Sequence, residues 1–279
     1  MAFTLDFTGS VVLVTGVTSG IGQGIARLAA RSGAVVAGCG RSSPESAGAR
    51  KFRSIVETEE EATAFYVCSD IADSHGPSDL VERVVDQLGR IDVVISNAGR
   101  NVFTGVETTT LADWTECMNL DLRSHWLLAQ AAAPHLRAAC ESPSGAPDIG
   151  KPSFLVNSSN HAYSTIPGCF PYNVAKAGLT GVVQSLAIEW GPLLRAVAVA
   201  PGFVETAGNQ AWFDRFADSA AERSRTESLH PTGTLGTVDQ IGAIFIFLAS
   251  RYADFVTGTT WVVDGGRSAL MQDGGKDYA

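Results

Sequence analysis

No C-x-x-C pair occurs in the 279-residue sequence. Its five cysteines, Cys39, Cys68, Cys117, Cys140 and Cys169, are odd in number and widely spaced. This pattern argues against a disulfide framework or a zinc ribbon and predicts buried, reduced thiols in a cytoplasmic protein. No apolar run approaches the ~20 residues of a membrane span. The opening stretch, "MAFTLDFTGSVVLVTG", lacks a basic segment followed by a long apolar one, so no secretory signal is expected. Basic runs are also missing and the formal net charge is -9, which argues against a nucleic-acid partner. His75, His125, His135 and His230 form no ligand pattern such as H-E-x-x-H, so no catalytic metal is expected. There is no linker and no internal repeat. What remains is an ordinary globular composition, 45% hydrophobic and 18% charged, with 29 glycines. A small-molecule ligand suits it best.

Short apolar runs alternate with helical patterns along the whole chain. "VVLVT" (11–15), "AVVAGC" (34–39), "AFYVCS" (64–69), "IDVVIS" (91–96), "SFLVNS" (153–158), "AVAVA" (196–200) and "TTWVVD" (259–264) make about seven strands. Ile21, Ile25, Leu28 and Ala29 recur at helical spacing before Gly33. Leu80, Val81, Val84, Val85 and Leu88 do so before Gly89. Longer helices are expected at 111–139, 172–190 and 237–250, the last opened by a Thr237/Gln240 capping box. Continuously apolar strands alternating with helices predict a parallel sheet covered on both faces. The expected fold is a single α/β domain over 1–279, doubly wound and Rossmann-type. A Pro-, Gly- and Ser-rich surface loop is expected at 141–153.

The first strand runs into a glycine turn and a helix, "VVLVTGVTSGIGQGIARLAA". Gly16, Gly20 and Gly22 permit a tight turn and the close approach of a pyrophosphate, which the helix N-terminus would face. An acid at the end of the second strand would bind the 2′-hydroxyl of NAD. The stretch there is "GCGRSS", with Arg41 and no acid, and an arginine can pair with a 2′-phosphate. NADP is therefore the expected cofactor, with NAD possible if Arg41 is a surface residue or stacks on adenine.

In "PYNVAKAGL" (171–179), Tyr172 and Lys176 lie four apart and share a helix face. A phenol ionises near pH 10. A neighbouring ammonium favours the phenolate, which would make Tyr172 an acid or base near neutrality. Ser159 ends the strand "SFLVNS", where ligands sit in open α/β sheets, and could donate to a carbonyl.

These stretches resemble the short-chain dehydrogenase/reductase family from about Phe7 to Gly266. The matching motifs are "TGVTSGIG" (15–22), "SD" (69–70), "SNAG" (96–99), "MNL" with Asn119, "NSS" (157–159), Tyr172 with Lys176, "PGFVET" (201–206) and "VDGG" (263–266). The resemblance implies hydride transfer between a nicotinamide and a carbinol or carbonyl carbon. By resemblance, Tyr172 is the acid/base, Lys176 lowers its pKa and binds the nicotinamide ribose, and Ser159 polarises the carbonyl. Asn119 would hold a water in a proton relay towards Lys176. The cofactor would meet Gly16, Thr18, Ser19, Gly20, Ile21 and Gly22, then Asp70 and Ile71 at the adenine. Asn97, Ala98 and Gly99 would line its cleft. Val204 and Thr206, after Pro201 and Gly202, would contact the carboxamide. "SNAG" stands where the family has "NNAG", at a position the resemblance makes structural.

The substrate is expected between Ser159, Tyr172 and a segment at about 205–234. Trp212, Phe213 and Phe216 there fit either a mobile lid or plain packing, with Trp212 and Phe216 on one buried side of a helix. Asn160 and His161 follow the serine and suit a hydroxylated substrate. The stretch also resembles short-chain dehydrogenases of sugars. A sugar, polyol or similar polar alcohol is the expected substrate; a 3-oxoacyl thioester or other ketone is the alternative, and a non-catalytic nucleotide sensor a further one. Helix 172–190 is apolar on several sides, which suits either a homodimer or homotetramer interface or cover by helix 111–139. The final "RSALMQDGGKDYA" has no assignable role.

Overall fold

The computed structural model describes residues 4–59 and 62–270. The end of the tail, 271–279, lies outside the described residues. Seven strands form one parallel sheet: β1 (Val11–Thr15), β2 (Val35–Gly40), β3 (Ala64–Cys68), β4 (Val93–Ser96), β5 (Ser153–Asn157), β6 (Arg195–Pro201) and β7 (Thr259–Val263). Their order is β3-β2-β1-β4-β5-β6-β7. Leu13 sits opposite Val94, and Leu155 opposite Val197. Chain order reverses between β1 and β4. Such a reversal opens a crevice at the carboxyl ends of the strands.

Alternate strand residues face opposite layers, as the period of two requires. Val12, Val14, Ile95, Leu155, Val197 and Val199 pack under α1 (Gly20–Arg31), α2 (Ala47–Glu57) and α8 (Val238–Ala249), through Ile25, Phe52, Ile241 and Phe245. Leu13, Val94, Phe154, Val156, Ala196 and Ala198 face α3 (Gly76–Leu88), α5 (Ser124–Glu141) and α6 (Tyr172–Trp190), through Leu80, Leu128, Leu179 and Val183. Burial on both faces is why the strands read as unbroken apolar runs. The capping box at Thr237 and Gln240 forms as expected.

Three features differ from the expectations. The single helix expected at 111–139 is α4 (Leu111–Met118), a π turn (Asn119–Arg123) and then α5. Helix α2 was not anticipated, although Ser46 caps it and Ala49, Phe52 and Val56 give it a buried face. All five cysteines are free, but Cys68 is exposed, because it is the last residue of the edge strand. Among the described residues no helix is long and apolar enough to cross a membrane.

Phe154 is fully buried on β5, with its ring edge-on to Trp190 at 6.1 Å. Phe154→Ala should cost about 3–5 kcal/mol in denaturant unfolding. A loss under about 1 kcal/mol would contradict this packing.

Candidate active site

The chain turns sharply after β1, with Gly16 at φ +74° and Gly20 at φ +61°, a region that favours glycine. Ser19 precedes α1 in an extended conformation and makes no side-chain cap, and the first helical turn carries no acid. The leading N–H groups are thus free for an anion. A Cβ on Gly22 would run into the Gly16 carbonyl oxygen. One on Gly16 would come within 2.9 Å of Ala98 Cα. The turn therefore lies directly on the segment after β4. Thr15 Oγ1 accepts from the backbone N–H groups of Asn97 (2.9 Å) and Ala98 (3.0 Å). The Asn97 side chain donates to Thr15 O at 2.8 Å and accepts from Asn157 Nδ2 at 2.9 Å. It locks β1, β4 and β5 together.

The other cofactor candidates line the same edge. Thr18 packs against Gly40 and Gly48, where a Cβ would stand 2.7 and 2.8 Å from it. Arg41 is exposed just past β2, and among the described residues no acid pairs with it. Asp70 is exposed past β3, with Oδ1 accepting from Ala72 N, while Ile71 is buried. Pro201 closes β6, Gly202 N donates to Val263 O, and Val204 is buried against Gly236. Thr206 caps α7 (Ala207–Phe213) and lies beside Gly20. An uncapped helix start, a backbone cradle that admits no Cβ and a free guanidinium together fit a dinucleotide.

Tyr172 is the first residue of α6, and Lys176 follows one turn later; both are buried. Lys176 Nζ lies 5.4 Å from the phenol ring centroid and donates to Asn157 O at 3.2 Å. Ser158 Oγ donates to Lys176 O, which ties the end of β5 to α6. Ser159 caps the turn Asn160–Ala162, its Oγ accepting from His161 N at 3.2 Å. Burial pushes the Tyr172 phenol above its ordinary value. The Asp121 carboxylate pushes the same way, and the Ser159 hydrogen bond opposes both. The sequence alone suggested the opposite direction, because it weighed the Lys176 charge without the burial of the phenol.

The partner of Lys176 is Asp121, in the π turn. Its Oδ1 lies 3.3 Å from Lys176 Nζ, with both side chains buried. Asn119 does not hold this place. It is half-buried at the end of α4, and among the described residues its side chain makes no hydrogen bond to Lys176. The π turn aims Asp121, two residues further on, inwards to Lys176. Gly99 closes over the pair, where a Cβ would stand 2.6 Å from Asp121 Oδ1 and 3.2 Å from Lys176 Nζ.

His161 is half-buried beside Tyr172, ring centroids 6.2 Å apart. Burial, followed by the charge of Arg267, lowers its pKa, so it is neutral near pH 7. Its Nδ1 has no hydrogen-bond partner among the described residues. Phe103, which the sequence did not single out, lies 5.3 Å from Tyr172 and 5.8 Å from His161 and is 43% exposed. Asn160 turns away to Asp264 and Ser268, so it does not face the site. In the expected lid, α7 ends at Phe213, which is the buried aromatic. Phe216 lies beyond the helix and is exposed, with Trp212 edge-on to it at 4.8 Å.

The family model described as enoyl-(acyl carrier protein) reductase matches residues 16–268. A succinyl-CoA derivative dehydrogenase subunit of Thauera aromatica is 32% identical, covering 92% of this chain and 96% of its own. The 2-dehydro-3-deoxy-D-gluconate 5-dehydrogenase of Escherichia coli is 31% identical, covering 95% and 97%. The crystal structure of levodione reductase superposes with a TM-score of 0.84 at 27% identity, covering 95% and 100%. The chain belongs to the short-chain dehydrogenase/reductase family. It is an NAD(P)-dependent oxidoreductase of alcohols and ketones.

Gly22→Ala should destabilise the protein by about 1–3 kcal/mol and weaken nicotinamide dinucleotide binding, because its methyl group meets the Gly16 backbone and the Asn97 side chain. Unchanged unfolding and unchanged affinity in a fluorescence titration would contradict the cradle.

Proposed function

We propose that this enzyme interconverts a secondary alcohol and a ketone on a sugar, polyol or similar polar substrate, with NADP as preferred cofactor. The observation that carries the reading is the buried assembly of Tyr172, Ser159 and Lys176 at the carboxyl edge of the sheet. When bound, the nicotinamide supplies or accepts the hydride. In the reducing direction Tyr172 Oη gives its proton to the substrate oxygen. In the oxidising direction it takes that proton back. Ser159 Oγ donates a hydrogen bond to the same oxygen, and Lys176 orients the phenol from below. Gly16, Thr18, Ser19, Gly20, Ile21 and Gly22 hold the phosphates. Asp70 and Ile71 border the adenine, Asn97, Ala98 and Gly99 line the cleft, and Pro201, Gly202, Val204 and Thr206 cover the nicotinamide end.

Two observations support the finer parts. Arg41 is exposed and free of acids next to Thr18 and Gly40, where a 2′-phosphate would lie. His161 presents a neutral, unpartnered ring nitrogen beside Tyr172, which suits a substrate hydroxyl. The gluconate derivative in the name of the Escherichia coli relative is consistent with this. A 3-oxoacyl thioester is the second reading. Phe103 favours it, as an exposed apolar surface over Tyr172, and so does the description of the matching family model. The outer side of α6 leaves Val174 and Ile188 uncovered, the latter 82% exposed, and Trp126 on α5 is half-exposed. These support a homodimer or homotetramer over cover within one chain. Free cysteines support a cytoplasmic protein.

Tyr172→Phe should lower kcat by about 10²–10⁴-fold while dinucleotide affinity is retained. The assay follows nicotinamide absorbance with NADP and NAD against aldoses, polyols, ketones and 3-oxoacyl thioesters. Retained turnover in the variant would refute the role of Tyr172. Turnover of thioesters alone would replace the sugar reading. Arg41→Ala should erase the preference for NADP, and equal affinity for both cofactors in the parent would refute that preference.

A further inference from the structure

After β7 the chain folds into a tight turn over 264–269 that brings a cation to the site. The Asp264 carboxylate is spent on that turn. Its Oδ1 accepts from Gly266 N at 3.0 Å, and its Oδ2 from Ser268 N at 2.7 Å and Asn160 Nδ2 at 3.4 Å. Ser268 Oγ also accepts from Asn160 Nδ2, at 3.3 Å. Asn160 and His161 share one turn after Ser159, so the segment is fixed against the end of β5. On its other side a Cβ on Gly265 would stand 2.5 Å from Thr232 Oγ1, and one on Gly266 2.9 Å from Pro231 Cγ. Arg267 therefore projects from a turn held on two sides.

The Arg267 guanidinium has no counter-charge. Its Nη1 is buried without a hydrogen-bond partner, and among the described residues no acid pairs with it. The arginines of the neighbouring helix are matched: Arg223 pairs with Glu205 and Glu227, and Arg225 makes two hydrogen bonds to Glu222. Burial, followed by the charge of Arg225, works against the charged form of Arg267, and Asp264 opposes them without reversing the direction. A guanidinium stays protonated all the same. A half-buried charge left unmatched is costly, and it marks the place of an anion. The same charge acts on His161, whose Nδ1 is also buried and unpartnered, and it is not among the causes acting on Tyr172. The cation thus stands by His161 and away from the reacting oxygen.

We propose that Arg267 binds a carboxylate of the substrate, so that the polar alcohol is a hydroxy acid of the aldonate type, anchored by its acid group beside His161. This inference rests on the polar-alcohol reading of the site and narrows it. One unmatched guanidinium offers one positive charge and a fork of donors, which a carboxylate matches in both respects. A phosphate monoester would bring about -1.5 to -2 charges. The Arg225 guanidinium, whose charge also reaches this place, is already taken by Glu222 and does not supply the second. The neutral His161 ring is left for a hydroxyl of the same molecule.

The test pairs D-gluconate, D-galactonate and D-mannonate with D-glucitol, galactitol and D-mannitol, and adds D-glucose 6-phosphate. Turnover is followed by nicotinamide absorbance, and binding by calorimetry on cofactor-loaded Tyr172→Phe, which holds substrate without consuming it. At least one aldonate should exceed its hexitol by about tenfold or more in affinity and in kcat/KM, as one charge-assisted contact provides. Arg267→Met should raise the KM for that aldonate by about 30-fold or more with a far smaller change in kcat, and Arg267→Lys should restore part of it. The loss should fall on the aldonate about tenfold more heavily than on the hexitol. Equal losses on both, or a parent that binds aldonates no better than hexitols, would overturn the proposal. So would a preference for the phosphate, or weaker dinucleotide binding in Arg267→Met with the aldonate-to-hexitol ratio unchanged. If Arg267→Met does not fold, the parent ratio and Arg267→Lys decide. Hexitol turnover without an aldonate preference removes this inference and leaves the polar-alcohol reading standing. Aldonate binding lost in Arg267→Met, with no alcohol turned over, removes that reading and supports the carboxylate site.

Discussion

A buried ammonium has to be matched by a buried acceptor, and the carboxyl edge of this sheet is organised around that requirement. Lys176 reaches Asp121 on one side and the carbonyl oxygen of Asn157, the last residue of β5, on the other. The first contact brings in the π turn between α4 and α5. The second fixes α6 against the strand that ends just before Ser159. Gly99 and the Arg100 N–H bring in the segment after β4. Strand ends, a helix start and a distorted helix are therefore held by one charge. The phenol of Tyr172 is placed as a consequence, one helical turn from the ammonium and in the shelter of Phe103 and His161.

The same edge carries the dinucleotide cradle, and the two are joined by Asn97. Its side chain spans β1 and β5, so the glycine turn is tied to the end of β5. The topological reversal between β1 and β4 opens the crevice, and the glycines let backbone line it. Thr206 then brings the segment after β6 back over the glycine turn. The residues that would hold a dinucleotide and Tyr172 thus share one edge of the sheet.

Most of this was legible in the sequence, for physical reasons. Strands buried on both faces must be continuously apolar, so all seven could be read. The glycine spacing, the strand-end serine and the Tyr172/Lys176 pair sit on regular elements, where sequence distance translates into spatial distance. Asp121 was not legible, because its meaning depends on a partner 55 residues away in sequence. The π turn hid it further, since a 3.6-residue period counts residues as though the helix were regular. Asn119 was singled out by the resemblance of its motif and not by helix spacing. The sign of the Tyr172 shift was missed because burial, its largest cause, is set by tertiary packing. Phe103 carries no sequence signal. It reaches the site through a bridge to Pro171, beside backbone hydrogen bonds from Thr104 and Gly105 to Phe170. Asn160 looked like a substrate contact from its place after Ser159, but the tight turn there directs it to Asp264.

The central claim is that a proton handled at Tyr172 accompanies a hydride that never meets water. The most direct measurement traces the hydrogen on the carbinol carbon. An alcohol substrate deuterated there is oxidised in ordinary water, and the reduced cofactor is examined by mass spectrometry. The account predicts one deuterium on the nicotinamide ring per turnover and none released to solvent. Deuterium appearing in the water, with an unlabelled cofactor, would contradict it.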